Sequence, residues 1–398
     1  MMHPSEEIFC AHSTALRGKT VILGITGSIA AVECFALTRD LIRHGAKVVP
    51  VMTQAATDMV TPMAMEFASG RTPIVNIGGQ AEHVNLISEG EGGADLLLIY
   101  PASANTVSKV AQGIDDTAVT SMATVAIGAG TPVIMAPAMH NSMYRNPAVQ
   151  RNIGLLQDMG VILVGPKVED LRAKAADRGE VLAATLRALG RGDLSGRRLL
   201  VIGGRGEEEV DDMRMLSNRS SGMMALELGL AAHRRGADVE VWMGGHDVSV
   251  PSHLNMRRFA SMSDLMAMIP DADHDIVLVP AALPDFSPER MPGKIDSSAP
   301  ELTLRFKRMQ KALPLLVSPG RVVVGFKAES GADDAVLEER ARSRLKEYGL
   351  DLVVANDVSA AGKGMVKVLL VDDDGCQEVR GNKSHIADSI LDRLTGTG

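Results

Sequence analysis

Two stretches of this chain repeat one layout, and that repetition constrains its fold more than any other feature. At Leu16–Gly27 a basic lead-in, LRGK, is followed by the apolar run TVILG and the turn GITG. At Leu194–Gly206 the lead-in LSGRR is followed by the run Leu199–Ile202 and the glycines Gly203, Gly204 and Gly206. An apolar run too short for a helix and closed by glycines reads as a buried strand feeding a tight turn. Two such units imply two nucleotide-binding-type domains in series, and 398 residues are ample for both cores.

The rest of the chain follows the same alternation. Thr20–Gly24, Lys47–Met52, Leu96–Tyr100, Pro132–Ala136 and Val161–Val164 are apolar runs fit for buried parallel strands. Leu199–Gly203, Val239–Met243, Ile276–Pro280, Val322–Gly325 and Leu352–Ala355 repeat the pattern in the second half. The predicted fold class is α/β, two Rossmann-like doubly wound domains in tandem, the first flavodoxin-like, with ligands at the carboxyl ends of the strands. The boundaries read as a short, poorly ordered leader (1–17), a first domain (18–190), a linker (191–195) and a second domain (196–398). Val368–Val371 followed by DDDG at 372–375 reads as a terminal hairpin rather than an ion site.

Composition excludes several classes of partner. A net charge of −8 argues against a nucleic-acid surface, and 3% aromatic residues leave little for base stacking. No apolar run approaches the roughly 20 residues that cross a bilayer, and Met1–Leu16, with Glu6 and Glu7, lacks the core of a signal peptide. Cys10, Cys34 and Cys376 are too far apart for a disulfide framework or a zinc motif, so the chain reads as cytoplasmic. The 23 methionines are scattered, as core filling requires.

Candidate site residues lie at strand ends. GITGSIAA at Gly24–Ala31 is not GxGxxG, so a dinucleotide is not indicated; Gly27 and Ser28 at a helix start suit a single phosphate. PASANT places Ser103, Asn105 and Thr106 at the next such turn, and PAMHNSMY follows the fourth strand. In the second half Arg214, Asn218, Ser220, Ser221 and Gly222 crowd anion- and amide-binding groups ahead of the helical stretch Met223–Ala232, residue types that an ordinary helix cap also uses.

GITGSIAA, AEHVNL, PASANT with KVAQGIDD, and PAM…MYRNPAVQRN together resemble the flavin-dependent cysteine decarboxylase family. The second half, with its Glu208, Asp211 and Arg214 spacing and SNRSSG, resembles the phosphopantothenate–cysteine ligase family that is often fused to it in coenzyme A biosynthesis. The likeness covers about residues 18–375. It implies FMN held by Gly27, Ser28, Thr53, Ser103, Asn105 and Thr106, with His83 as the active-site histidine. The substrate-gripping PAMN of the family is PAMH here; His140 or Asn141, with Met143, takes that part. The glycine-rich flap of many relatives carries a cysteine, whereas Pro166–Glu180 has none and offers Lys174 as a replacement proton donor. A flavin serves this decarboxylation because the carbon that loses CO₂ needs an electron sink.

For the ligase half the resemblance implies activation of a carboxylate by CTP with Mg²⁺, giving an acyl-cytidylate that cysteine then attacks. Asn218 and Lys294 are the implied catalytic residues; Gly204, Arg214, Ser221, Ala281, Asp285, Phe326 and Arg344 are the implied nucleotide and substrate contacts. Met223 stands where a lysine is usual, Tyr348 where a second phosphate-binding lysine is usual, and Met309–Ala312 departs from the base-reading Pro-Asp motif. These departures leave CTP and another nucleotide both open. The implied substrates are phosphopantothenate, cysteine and CTP, and the implied assembly is a homo-oligomer: trimers of decarboxylase domains and dimers of ligase domains, up to a dodecamer. Two alternatives stay open, a ligase with an inactive flavin domain and a non-catalytic flavin-binding regulatory protein.

Overall fold

The computed structural model describes residues 3–87, 93–169, 172–296, 301–357 and 365–396. The side chains of 167–169 and 172–174 lie outside the described residues, the Lys174 side chain among them. The chain divides into two compact units, Met1–Gly190 and Arg191–Gly398.

In the first unit β1 (Thr20–Ile25), β2 (Lys47–Met52), β3 (Leu96–Ala102), β4 (Val133–Pro137) and β5 (Ile162–Leu163) form a parallel sheet in the order β2-β1-β3-β4-β5. That is the flavodoxin-like order, and it reverses between β1 and β3, where a crevice opens. β3 is buried along its whole length because helices cover both faces. On one face Ile22, Leu97 and Ile99 pack with residues of α2 (Ala104–Ala111), α3 (Ala118–Gly128) and α4 (Pro147–Asp158). On the other, Val21, Leu23 and Leu98 pack with Leu37 and Leu41 of α1 (Cys34–Arg43) and Val181 of α5 (Arg178–Ala188).

Two expectations are corrected here. The leader is not loose: Pro4–Glu7 is helical, Cys10 and His12 donate backbone N–H bonds to Ile42 and Arg43, and Leu16 is fully buried in the core. An apolar anchor and those backbone bonds hold residues that charge alone marked as a tail. No α-helix starts at Gly27–Ser28 either. A 3₁₀ turn, Ile29–Glu33, intervenes before α1, and Ser28 makes no side-chain cap because its hydroxyl donates to the Ala138 carbonyl (3.2 Å).

In the second unit β6 (Arg198–Gly203), β7 (Asp238–Met243), β8 (Asn255–Arg258), β9 (Ile276–Val279), β10 (Val322–Glu329), β11 (Leu352–Asp357), β12 (Val366–Val371) and β13 (Cys376–Gly381) form one sheet. Its order is β8-β7-β6-β9-β10-β11-β12-β13. The first six strands are parallel in the doubly wound dinucleotide-fold order, and β12–β13 is an antiparallel hairpin. At its turn Asp372 accepts two hydrogen bonds from Arg393 and one from the Gly375 N–H. α6 (Met223–Arg234) and α8 (Lys383–Thr395) cover one face through Leu228, Ile386 and Ile390. α7 (Asp334–Tyr348) and the helix Met262–Met268 cover the other, where Leu337 and Leu265 share a core with Trp242 of β7. Two ribbons lie outside the sheet, Glu207–Glu209 with Met215–Ser217 and Phe286–Pro288 with Phe306–Arg308.

Among the described residues no helix is long and apolar enough to cross a membrane.

Candidate active sites

In the first unit the crevice between β1 and β3 is closed by one buried hydroxyl. Thr26 Oγ1 donates to the Pro101 carbonyl (2.7 Å) and accepts the Ser103 N–H (2.9 Å), so GITGS and PASANT form one surface. Ser103 caps α2: its Oγ accepts the Thr106 N–H at 3.3 Å and lies 3.1 Å from the Thr106 hydroxyl. Thr53, buried at the end of β2, caps the short helix Gln54–Thr57. Gly27 lies against that segment so closely that a Cβ on it would stand 2.7 Å from Ala55 Cβ. Asn105 is exposed on the first turn of α2.

His83 sits in the short helix Glu82–Asn85, and its Nδ1 is buried without a hydrogen-bond partner among the described residues. A buried ring nitrogen left open is the mark of a group that a bound molecule satisfies, and hydroxyls with first-turn N–H groups at strand ends are the chemistry that takes a phosphate. His140 caps Asn141–Tyr144: its Nδ1 accepts the Ser142 N–H (3.3 Å), which leaves the neutral ring's proton on Nε2. Asn141 is half-buried at the start of that helix and Met143 is 49% exposed. Cys34 donates to the Tyr100 carbonyl, and burial pushes its thiol well above the ordinary range, so it supplies no thiolate.

In the second unit a cavity of about 780 Å³ lies at the order reversal between β6 and β9. Asn218, Ser221, Ala281 and Phe326 line it; Gly204, Arg214, Asp285, Lys294 and Arg344 do not. Asn218 Nδ2 donates to the Ala282 carbonyl (3.3 Å), which fixes the amide against the turn after β9. Gly222 opens α6 at φ +77°, and a Cβ there would stand 2.9 Å from His246 Cβ, so the loop needs glycine.

The residues outside the cavity have other partners. Arg214 pairs with Asp211 (2.5 Å), Asp285 with Lys311. Arg344 donates to the Phe326 carbonyl (3.2 Å) and lies over the Tyr348 ring, 5.6 Å from its centre. The Gly204 carbonyl accepts the Ala282 N–H (2.9 Å). Lys294 is exposed on a loop tied to the Glu207–Ser217 ribbon. Sequence reasoning missed Arg205, Asn356 and Lys383, all of which line the cavity. Arg205 stood in plain view in the glycine-rich GGRG, whereas Lys383 lies beyond the end of the recognised likeness.

Comparison with known proteins assigns a family to each unit. Residues 10–190 match the Flavoprotein family, and residues 194–397 match the DNA/pantothenate metabolism flavoprotein C-terminal domain. The chain is 40% identical over 405 residues to the coenzyme A biosynthesis bifunctional protein CoaBC of Thermococcus kodakarensis, covering 99% of both chains. It is 33% identical over 402 residues to the protein of that name from Methanocaldococcus jannaschii, covering 99% of this chain and 98% of that one. A crystal structure of the FMN-dependent cysteine decarboxylase SpaF is 31% identical, with a TM-score of 0.38, covering 44% of this chain and 98% of that chain. With one family match on each compact unit and full-length likeness in both directions, the chain belongs to the family of bifunctional coenzyme A biosynthesis proteins.

Proposed function

We propose that the two units catalyse consecutive steps of coenzyme A biosynthesis: the second ligates cysteine to phosphopantothenate, and the first decarboxylates the phosphopantothenoylcysteine so made to phosphopantetheine. The observation that carries this reading is the full-length likeness to bifunctional relatives, with one half on each unit.

In the ligase unit the phosphopantothenate carboxylate attacks the α-phosphate of CTP, with Mg²⁺ accompanying the nucleotide, and pyrophosphate leaves. The cysteine amine then attacks the acyl carbon of the acyl-cytidylate, and CMP leaves as the amide forms. Asn218, held by Ala282, offers an amide to the acyl phosphate. Lys294 supplies a positive charge from its loop, and Phe326, whose carbonyl Arg344 engages, forms part of the nucleotide wall.

The decarboxylase unit is a flavoprotein domain. In this reading Gly27, Ser28, Thr53, Ser103, Asn105 and Thr106 hold FMN, which supplies an electron sink for the carbon that loses CO₂. His83 turns its open nitrogen to the reacting end, and His140 Nε2 or the Asn141 amide grips the substrate carboxylate, with Met143 alongside. The first units associate as trimers and the second as dimers, up to a dodecamer. Ile29 (74% exposed) beside the phosphate loop, and Phe286 and Phe306 on a ribbon, supply apolar surface for such contacts. The three free cysteines, Cys10, Cys34 and Cys376, suit the reducing cytoplasm as the place of this work.

The test supplies phosphopantothenate, cysteine and each nucleoside triphosphate in turn, and follows pyrophosphate and CO₂ together. Both products with CTP bear the reading out. Pyrophosphate alone leaves a ligase with an inactive flavin unit, and neither product with any nucleotide defeats it.

A further inference from the structure

The charges around the second unit's cavity are unevenly spent. Arg205, which lines it, is consumed locally: its Nη1 donates to the Ser220 carbonyl (2.8 Å) and to Asp247 (3.1 Å), and its Nε lies 3.3 Å from Glu207. Around α8 the arginines are likewise engaged, Arg393 by Asp372, Arg234 by Asp388, and Arg235 by Asp193 and Asp392. Lys383 also lines the cavity and is half-buried, yet it forms no ion pair among the described residues. Glu227 of α6 feels its charge but accepts its hydrogen bond from the Ser384 side chain.

Its position in the helix is also against local preference. Lys383 is the first residue of α8, where the helix dipole disfavours a cation, and no acidic residue in the first turn offsets it. A local rule broken beside a cavity marks a functional position more often than a folding one. The start of α6 faces the same space through Gly222 and Met223, and Arg219, exposed on the same wall, adds a second cation without a carboxylate partner among the described residues. An ammonium and a guanidinium left over at one cavity match a group carrying more than one negative charge.

We propose that Lys383 binds a phosphoryl group of the ligand that occupies this cavity. The proposal rests on the ligase reading of the second unit. Phosphopantothenate and the nucleotide both carry the required chemistry, and the experiment separates them.

The full-length Lys383→Gln and Lys383→Arg variants are assayed by pyrophosphate release, varying phosphopantothenate, nucleotide and cysteine separately. Lys383→Gln is expected to raise KM for one phosphate-bearing substrate about tenfold or more, as loss of one charge-assisted hydrogen bond does. The KM for cysteine, the thermal melting point and CO₂ release from supplied phosphopantothenoylcysteine stay at the wild-type values, and Lys383→Arg stays within a few-fold. The substrate whose KM moves is the one Lys383 holds. Unchanged KM for both phosphate substrates overturns the proposal, as does equal loss in both variants with a lowered melting point. Should wild type release no pyrophosphate with any nucleotide, the ligase reading fails by itself. Calorimetric titration of phosphopantothenate and CTP into wild type and Lys383→Gln then decides: weaker binding of either by the variant upholds the site, and equal binding or none by wild type overturns it.

Discussion

The carboxylate of Asp211 accepts the backbone N–H of Ile295 at 3.0 Å and so fastens the loop that carries Lys294 to the turn of the ribbon that leads into Asn218. The same buried carboxylate accepts the N–H groups of Met213 (2.8 Å) and Arg214 (2.6 Å). Around it Met291 donates to the Val210 carbonyl, and Arg290 pairs with Glu209 and Asp212. The bond from Ile295, followed by those from Met213 and Arg214, holds the Asp211 carboxyl down to about 2.

Asp211→Asn therefore loosens the Lys294 loop, because an amide presents two donors of its own to this set of N–H groups. Ligation is expected to fall at least tenfold with CO₂ release from supplied intermediate unchanged. The pH dependence has a definite sign. A depressed carboxyl contributes stability above its ordinary value of 3.8 and loses it as pH falls towards about 2. Denaturant unfolding at about pH 5 and about pH 3 should show wild type losing its advantage over Asp211→Asn at the lower pH. A constant difference between the two proteins defeats the assignment.

Thr26 joins the two loops of the first unit's crevice through both sides of one hydroxyl. Thr26→Val keeps the shape and strands the Ser103 N–H and the Pro101 carbonyl, at a cost of about 1–3 kcal/mol. The first unit is expected to melt earlier and to release its flavin more readily, and Thr26→Ser should restore both. Flavin absorbance after gel filtration reads the result; full retention by Thr26→Val refutes the bridging role.

The parts that were legible in the sequence are those with local signatures. Buried parallel strands are short apolar runs, so most strands of both sheets stood out, and the polar turns after β1 and β3 marked the first crevice; the edge strand β8, NMRR, has no such run and did not stand out. Thr26 was not legible, because nothing in GITGS distinguishes a bridging hydroxyl from a ligand-binding one until Pro101 lies beside it. Arg214 shows the same limit. Its position among anion-binding residue types was visible, but not that its guanidinium pairs with Asp211 three residues away. The ribbon strand Glu207–Glu209, three acidic residues, has no alternation of apolar and polar positions to announce it.

His83 has a buried ring nitrogen without a hydrogen-bond partner among the described residues, a state that most buried polar groups avoid. His83→Asn is expected to lower CO₂ release by on the order of 10²–10⁴ while pyrophosphate release persists, since the ligase groups lie in the other unit. The flavin spectrum should remain. Parallel loss of both activities with a lowered melting point would instead assign His83 to folding.

Asn218 and Lys294 separate the two halves of ligation. Asn218 Nδ2 already donates one hydrogen to the Ala282 carbonyl, so a carboxylate at this position loses that bond and faces a carbonyl oxygen with a negative charge. It also repels the acyl phosphate that the amide would hold. Asn218→Asp is therefore expected to lose amide formation, by on the order of 10²–10³, the usual cost of one preorganised donor. Lys294 is exposed, and its loop is fastened through Ile295 and Gly293 rather than through its own side chain. Its ammonium is thus available to a ligand, and Lys294→Gln removes charge while leaving the fastening intact. In that variant acyl-cytidylate is expected to accumulate if the lysine acts after the intermediate has formed, by assisting departure of CMP. Rapid quench with labelled phosphopantothenate, followed by separation of intermediate from product, measures both variants. No intermediate and no pyrophosphate in Lys294→Gln would move the lysine to nucleotide activation, and wild-type kinetics in both variants would remove these residues from the site.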